Sequence, residues 1–150
     1  EILSEFDQRI REKKLQVRIY FENQDFCVLA DKVLMKQAIS NVIHNALRYS
    51  NEGELVEIVL KKDKLSVKNY GVAIAAEDLE KIFEPFYCVD KSRSKKLGGS
   101  GLGLAITREI IEEHGFSIIA RSQENRHEKI FTEFVICFGG GKDERVDTKS

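Results

Sequence analysis

The stretch Asn41-Val-Ile-His-Asn-Ala-Leu-Arg-Tyr49 belongs to the longest amphipathic segment of the sequence. Apolar residues recur there at intervals of three and four, which is the period of one helix face. The apolar face consists of Met35, Ile39, Val42 and Ala46, flanked by Ala38, Ile43 and Leu47. Asp31 precedes this pattern and is a favourable N-cap residue. The pattern therefore predicts a helix from Asp31 to about Tyr49.

Three polar residues of this helix, Asn41, Asn45 and Arg48, recur at i, i+4 and i+7 and share a face beside the apolar one. Asparagine is a mediocre helix former, so two of them are unusual on a helix face that only meets solvent. A carboxamide oxygen is a competent ligand for Mg²⁺, which takes few protein oxygens and adds phosphates and water. Taken alone, this face is compatible both with a magnesium site and with an ordinary solvated surface.

The glycine-rich segment Gly98-Gly-Ser-Gly-Leu-Gly-Leu104 leads into a second predicted helix, at 102–114, which ends before Gly115. Free backbone N–H groups and the positive end of a helix converge in such a segment, which is how proteins hold phosphate. It is not a P-loop, because no Gly-Lys-Ser/Thr follows, and Leu104 occupies the last glycine position of GxGxxG. Taken alone, it is equally compatible with a plain loop.

The remaining pattern predicts about six strands and one further short helix. The strands are predicted at 16–22, 26–30, 55–60, 64–68, 117–122 and 130–138, and the short helix at 77–83. Local hairpins outnumber βαβ units in this order, which favours an α+β fold. We expect a two-layer sandwich in which three helices cover one face of a mostly antiparallel mixed sheet.

Composition excludes several classes of protein. The chain has 150 residues, enough for one domain, and a formal net charge of −1, so we expect no nucleic-acid partner. No apolar run approaches the roughly 20 residues that span a bilayer. The cysteines Cys27, Cys88 and Cys137 are odd in number and widely spaced, which fits neither a disulfide framework nor a zinc site. A reducing compartment, the cytoplasm, is the expectation.

Two further segments complete an ordered set of motifs: Asn69-Tyr-Gly-Val-Ala-Ile74 and Phe83-Glu-Pro-Phe-Tyr87. With residues 41–49 before them and Gly99-Ser-Gly-Leu-Gly-Leu104 after them, the chain resembles the histidine-kinase branch of the Bergerat-type ATPases, a superfamily that includes gyrase, Hsp90 and MutL. The four motifs are similar to the N box, the adenine-contacting box, the F box and the second glycine box of that branch. The resemblance covers about residues 16–138 and places an ATP lid at 88–98.

The resemblance implies ATP and Mg²⁺ as cofactors. Asn45 would be the Mg²⁺ ligand, with Asn41 beside it, and Arg48 would contact phosphate. The complete set of implied cofactor-binding residues is Asn41, Asn45, Arg48, Tyr49, Asn69, Gly71, Ala73, Ile74, Tyr87, Gly99, Ser100, Gly101, Leu102, Gly103 and Leu104. Family members that hydrolyse ATP carry a glutamate base four residues before the magnesium asparagine, where this chain has Asn41, which cannot accept a proton at neutral pH.

The implied function is therefore that of a protein-histidine kinase in a two-component system. The γ-phosphoryl group would pass to a histidine in an upstream dimerisation domain, and then to the receiver domain of a response regulator. We expect no catalytic residue in this chain beyond the ATP site, a connector at 1–15, the catalytic domain at 16–138 and a disordered tail at 139–150. The isolated domain is expected to be monomeric and cytoplasmic, within a homodimeric protein anchored in the bacterial inner membrane.

Three positions depart from the family pattern and support an alternative. Asn69 stands for the adenine-box aspartate, Ala73 for its second glycine, and Cys88 for a basic residue after the F box. A neutral amide bonds to adenine more weakly than a carboxylate does. One alternative is therefore a catalytically weakened site or a pseudokinase that acts by protein docking. A further alternative is a serine kinase of the anti-sigma type, which shares the same ATP boxes.

Overall fold

The computed structural model describes residues 2–22, 25–87, 102–123 and 129–139. Over these residues, the chain forms one five-stranded sheet and three α-helices. The strands are β1 (Gln16–Phe21), β2 (Leu55–Lys61), β3 (Lys64–Tyr70), β4 (Ser117–Gln123) and β5 (Phe131–Cys137). The α-helices are α1 (Asp7–Glu12), α2 (Lys32–Tyr49) and α3 (Gly103–Glu113), and short 3-10 helices lie at Leu3–Phe6, Ala76–Asp78 and Lys81–Phe83.

The sheet has the strand order β1-β2-β3-β5-β4. Only β1 and β2 pair in parallel, while the other neighbouring strands pair antiparallel. Burial alternates along β2, β3 and β5, as expected when one face of a sheet is covered by helices and the other meets solvent. The predicted α+β class, a mostly antiparallel mixed sheet with helices on one face, is confirmed.

Helix α2 forms as the apolar pattern predicts. Its N-cap is Asp31, whose carboxylate accepts a hydrogen bond from the backbone N–H of Leu34 at 3.0 Å. The buried residues of α2 are Met35, Ala38, Val42, Ile43, Ala46 and Leu47. Burial of a large aliphatic side chain contributes about 1.5–3 kcal/mol, so this face holds α2 on the sheet. Packing of the apolar face also sets the orientation of the polar face that carries Asn41 and Asn45.

Helix α3 ends at Glu113, close to the predicted end. Gly115 follows with a φ of +80°, a left-handed conformation that glycine adopts without a steric cost. The backbone N–H of Phe116 donates to the carbonyl of Ile111 at 3.0 Å, and that of Gly115 donates to Glu112 at 3.0 Å. These two bonds form a Schellman motif, which satisfies the last carbonyls of the helix.

Two predicted elements are wrong. Residues 26–30 form no strand; Phe26 packs on Phe138 with ring centroids 5.8 Å apart, while the Leu29 side chain is 98% exposed. This segment therefore lacks the backbone pairing that a strand needs, and the described sheet has five strands instead of six. The helix predicted at 77–83 is two separate 3-10 turns. Pro85 helps to end the second turn, because a proline disfavours helical backbone at the residue before it. That residue, Glu84, is extended with ψ 141°.

The end of α2 is bound by a lysine from the segment before β1. The ammonium group of Lys13 donates to the carbonyl oxygens of Leu47 at 2.8 Å, Arg48 at 2.6 Å and Ser50 at 3.1 Å. A cation is favourable at the negative end of a helix, where the last carbonyls have no partner within the helix. Lys13 therefore fixes the end of α2 that carries Arg48.

Substituting Lys13 by methionine is expected to lower the free energy of unfolding by about 2 kcal/mol, because three carbonyls lose a charged donor. Urea denaturation measures this change. Lys14→Met is the matched control: its side chain is 76% exposed and its ion pair with Glu52 spans 3.7 Å. We expect the control to change stability by less than about 0.5 kcal/mol. Equal losses in the two variants would contradict the role of Lys13.

Candidate functional site

The polar face of α2 meets the beginning of α3. The side-chain amide of Asn41 donates to the carbonyl oxygen of Gly103 at 3.2 Å. Below this contact, the buried hydroxyl of Thr107 donates to the carbonyl of Ala38 at 3.4 Å. A helix begins with unpaired N–H groups and a partial positive charge. The structure thus brings the predicted magnesium face and the predicted phosphate-binding helix together, over a sequence separation of about 60 residues.

Asn45 lies one turn after Asn41 on the same face of α2. Its side chain is half-buried and makes no hydrogen bond to the residues that the structure describes. Those residues also contain no cluster of three or more His, Cys, Asp or Glu side chains that could hold a metal ion. An amide oxygen on this face would fit a magnesium ion that arrives with a triphosphate, as the sequence predicts, because the phosphates would supply most of the oxygen ligands.

Arg48 is partly engaged by a neighbour on the same helix. A guanidinium nitrogen of Arg48 lies 3.4 Å from Nε2 of His44, which must accept because arginine only donates. His44 stacks on the ring of Phe6, with centroids 6.1 Å apart. Burial, together with the charges of Arg48 and Arg9, lowers the pKa of His44. The lowered pKa favours the neutral imidazole, whose Nε2 accepts from Arg48.

Gly71 lies where the end of α2 touches the residue after β3. Ser50 and Gly71 form an isolated antiparallel bridge, and a Cβ atom at Gly71 would lie 2.0 Å from the carbonyl oxygen of Tyr49. No side chain fits at that distance. The contact holds Tyr49 and Arg48, at the end of α2, against the end of the strand that carries Asn69.

Asn69 is 1% exposed and lies on β3 opposite Thr132 of β5. Its side chain points to the helix-covered face, as do the other buried residues of β3. The amide nitrogen Nδ2 of Asn69 is buried and has no hydrogen-bond partner among the described residues. An unpaired buried donor costs about 1–3 kcal/mol, so this nitrogen is an unusual feature that a bound acceptor would satisfy.

The loop after Gly71 is anchored by two hydroxyl groups that sequence analysis missed. The hydroxyl of Ser122 accepts from the backbone N–H of Ile74 at 2.8 Å and donates to the carbonyl of Phe131 at 3.1 Å. The hydroxyl of Thr132 donates to the carbonyl of Val72 at 3.3 Å. Both hydroxyls lie at positions of their strands that face the helices. A polar residue at such a position in the strand pattern could have indicated a buried hydrogen bond.

Residues 83–87 bind to neighbouring elements through aromatic contacts. Phe83 is buried edge-on against Phe134, with centroids 6.1 Å apart, and the guanidinium of Arg108 lies 5.1 Å from its ring. The hydroxyl of Tyr87 donates to the carboxylate of Asp78. This hydrogen bond is the main reason why the pKa of Tyr87 is raised to about 12.

The other predicted site residues fall into two groups. Leu104, Ala73 and Ile74 are half-buried, and Leu104 and Ile74 pack against the core, while Leu102 is the N-cap position of α3. Gly99, Ser100 and Gly101 lie outside the described residues, as does the 88–98 segment with Cys88.

The described residues also form a hollow of about 500 Å³ on the open face of the sheet. One pair of its charged groups is Arg121 and Glu133: Glu133 accepts from Ser66 and from Arg121, the latter through Nε at 3.1 Å. A smaller cleft of about 430 Å³, between α1 and α2, is lined in part by Asn41 and His44. The amide groups of Asn45 and Asn69 lie on the helix side of the sheet, so we assign the candidate site to that side.

This arrangement of motifs has a direct counterpart among known proteins. Residues 30–138 match the HATPase_c family, described as "Histidine kinase-, DNA gyrase B-, and HSP90-like ATPase". The chain belongs to this family. HATPase_c relatives include the sensor histidine kinase WalK of Bacillus subtilis, 42% identical over 110 residues, which are 69% of this chain and 18% of that protein. The sensor protein kinase WalK of Staphylococcus saprophyticus is 44% identical over 103 residues, which are 65% of this chain and 17% of that protein.

This chain is also similar to solved structures of histidine kinases. The nucleotide-free catalytic domain of histidine kinase ThkA gives a TM-score of 0.71 at 31% identity, covering 91% of this chain and 88% of that one. ThkA in complex with the response regulator protein TrrA gives a TM-score of 0.69 at 30% identity, covering 91% of this chain and 38% of that one. The predicted family, the ATP-binding catalytic domains of sensor histidine kinases, is confirmed.

Proposed function

We propose that this domain binds ATP with Mg²⁺ and transfers the γ-phosphoryl group to a histidine in a separate dimerisation domain of the same protein. The observation that carries the proposal is the contact between Asn41 on α2 and Gly103 at the start of α3. We infer that it brings amide oxygens of α2, which would bind a cation, close to backbone N–H groups at the start of α3, which would bind an anion. Phosphoryl transfer depends mainly on such positioning and charge stabilisation.

In this proposal, different residues bind the metal ion, the phosphates and the purine. We assign the Mg²⁺ contact to Asn45, with Asn41 beside it, and a phosphate contact to Arg48. The start of α3, from Leu102 to Leu104, together with Gly99, Ser100 and Gly101, would bind phosphate through backbone N–H groups. The purine would lie against Asn69, Gly71, Ala73 and Ile74, with Tyr49 and Tyr87 lining the nucleotide. When bound, the Mg²⁺ ion supplies positive charge to the triphosphate.

The chemistry of the described site favours a protein acceptor over water. Asn41 lies one helical turn before Asn45, the proposed magnesium ligand, and an amide cannot remove a proton from water at neutral pH. Its amide group already donates to Gly103. The neighbouring His44 directs Nε2 to the guanidinium of Arg48. Neither side chain is thus arranged as a general base, so the transferred group needs a nucleophile from another domain.

The rest of the protein is inferred from its relatives, because the chain spans less than a fifth of the length of the two WalK proteins it matches. We propose a connector at 1–15, the catalytic domain at 16–138 and a tail at 139–150. The upstream dimerisation domain would make the whole protein a homodimer, and the receiver domain of a response regulator would take the phosphoryl group next. The complex of ThkA with TrrA supports such a partner.

We also propose that this domain is the cytoplasmic part of a protein anchored in the bacterial inner membrane. Among the described residues, no helix is long and apolar enough to cross a bilayer. The docking-only alternative gains no support, since the matched relatives are named as kinases.

The experiment that tests the proposed function is transfer of labelled phosphate to the acceptor domain, supplied as a separate chain. A domain with this function labels the acceptor and does not label itself.

A further inference from the structure

The amide nitrogen of Asn69 is buried without a hydrogen-bond partner among the described residues, and no contact within the fold accounts for this. The side chain is 1% exposed. The nearby hydroxyl groups do have partners: Thr132, opposite Asn69 on β5, and Ser122, on β4 beyond it, both bind backbone groups. A donor in this position is satisfied by a ligand that presents an acceptor atom to it.

We propose that Asn69 allows the nucleotide site to accept 6-oxopurine nucleotides, GTP and ITP, as well as ATP. The proposal rests on the proposed function, because it assumes that the purine of the nucleotide lies against Asn69. It concerns which purine the same site takes. An amide carries a donor and an acceptor side by side, so it can meet two different edges of a purine.

Adenine presents a donor at N6 and an acceptor at N1. The amide oxygen of Asn69 accepts from N6, and Nδ2 donates to N1. Guanine and hypoxanthine present the reverse order, an acceptor at O6 and a donor at N1–H. Rotation of the Asn69 amide by half a turn exchanges its oxygen and nitrogen, so both hydrogen bonds form again. The base keeps the same position in both cases.

A carboxylate at position 69 lacks this choice. Aspartate only accepts, so in the same base position it accepts from N6 of adenine and repels O6 of guanine. Aspartate and asparagine have nearly the same shape, so exchanging them changes the hydrogen-bond pattern and the charge while the volume stays constant. The pair Asn69 and Asn69→Asp therefore isolates the reading of the base.

The test is competition of ATP, GTP, ITP and CTP, each with Mg²⁺, for one fluorescent ATP analogue on the parent chain and on Asn69→Asp. On the parent we expect ATP, GTP and ITP to compete with apparent Kd values within about tenfold of one another, and CTP to compete more weakly. In Asn69→Asp we expect the ATP-over-GTP ratio to rise about 10- to 100-fold, with ITP following GTP.

An unchanged ATP-over-GTP ratio in a folded Asn69→Asp protein would overturn the inference and leave the proposed function standing. Failure of the parent to bind the fluorescent analogue and all four nucleotides would overturn both the inference and the proposed function.

If the aspartate variant does not fold, a second measurement on the parent alone tests the inference. GTP methylated at N1 has no donor there, so it should bind at least about tenfold more weakly than GTP. Equal binding of the two would show that Asn69 does not read the Watson–Crick edge.

Discussion

Asn45→Ala is expected to abolish magnesium-dependent nucleotide binding and to lower phosphoryl transfer at least about 100-fold. Alanine removes the amide oxygen that would ligate Mg²⁺, and stabilisation of charge at the phosphates supplies most of the catalysis in phosphoryl transfer. Asn45 is half-buried on the polar face of α2, outside the hydrophobic core, so the fold should remain intact. Alanine is also the better helix former.

Thermal stabilisation by ATP, with and without Mg²⁺, measures the binding part of this prediction. The parent should gain stability from ATP and gain more when Mg²⁺ is added, following ligand linkage. The variant should gain equally little with and without Mg²⁺. Asn51→Ala is the matched control, since Asn51 is exposed just beyond α2, and it should behave like the parent. Equal magnesium dependence in Asn45→Ala and the parent would exclude Asn45 as the ligand.

Gly71→Ala is expected to have the largest effect on stability, with a loss of about 3 kcal/mol or more. The added Cβ would lie 2.0 Å from the carbonyl oxygen of Tyr49 and 3.1 Å from its carbonyl carbon. Both atoms belong to backbone at the end of α2, where Lys13 also binds the carbonyls of neighbouring residues, so they cannot rotate away. Either α2 or the residue after β3 must move. Movement of either would also disturb the proposed contacts of Arg48 and Tyr49 with the nucleotide.

Gly53→Ala separates this clash from the strain of backbone conformation. Gly53 has a φ of +80° and nothing within 4 Å of an added Cβ, so alanine there costs only the left-handed conformation, about 1–2 kcal/mol. Chemical denaturation of the two variants gives the comparison. A loss for Gly71→Ala no greater than that for Gly53→Ala would show that α2 and Gly71 are not in this close contact.

The parts of the fold that could be predicted from sequence are those with local signals. The N-cap Asp31 and the apolar period fixed the start and the buried face of α2, and Gly115 marked the end of α3. All five strands of the described sheet were predicted within two residues, because polar turns separate the apolar runs. The predicted strand at 26–30 was wrong because apolar residues alone do not supply a pairing partner.

Long-range contacts explain what sequence analysis missed. The motif order predicted that Asn41 and residues 102–104 share a site, but the hydrogen bond between Asn41 and Gly103 depends on the packing of α3 on α2. Lys13 gave no signal in the sequence, because its partners lie 34 to 37 residues away. Gly71 was predicted as a nucleotide contact, whereas the structure adds a steric need for glycine that comes from the end of α2.

Transfer of labelled phosphate tests the proposed function most directly. The chain is incubated with ATP labelled at the γ-phosphate and with Mg²⁺, alone and with the dimerisation and acceptor domain of its own protein as a separate chain. We expect acid-labile label on the acceptor domain only, none when its acceptor histidine is replaced by glutamine, and a loss of at least about 100-fold with Asn45→Ala. Acid-labile label on the chain alone, or release of phosphate to water at the same rate with and without the acceptor, would contradict the account.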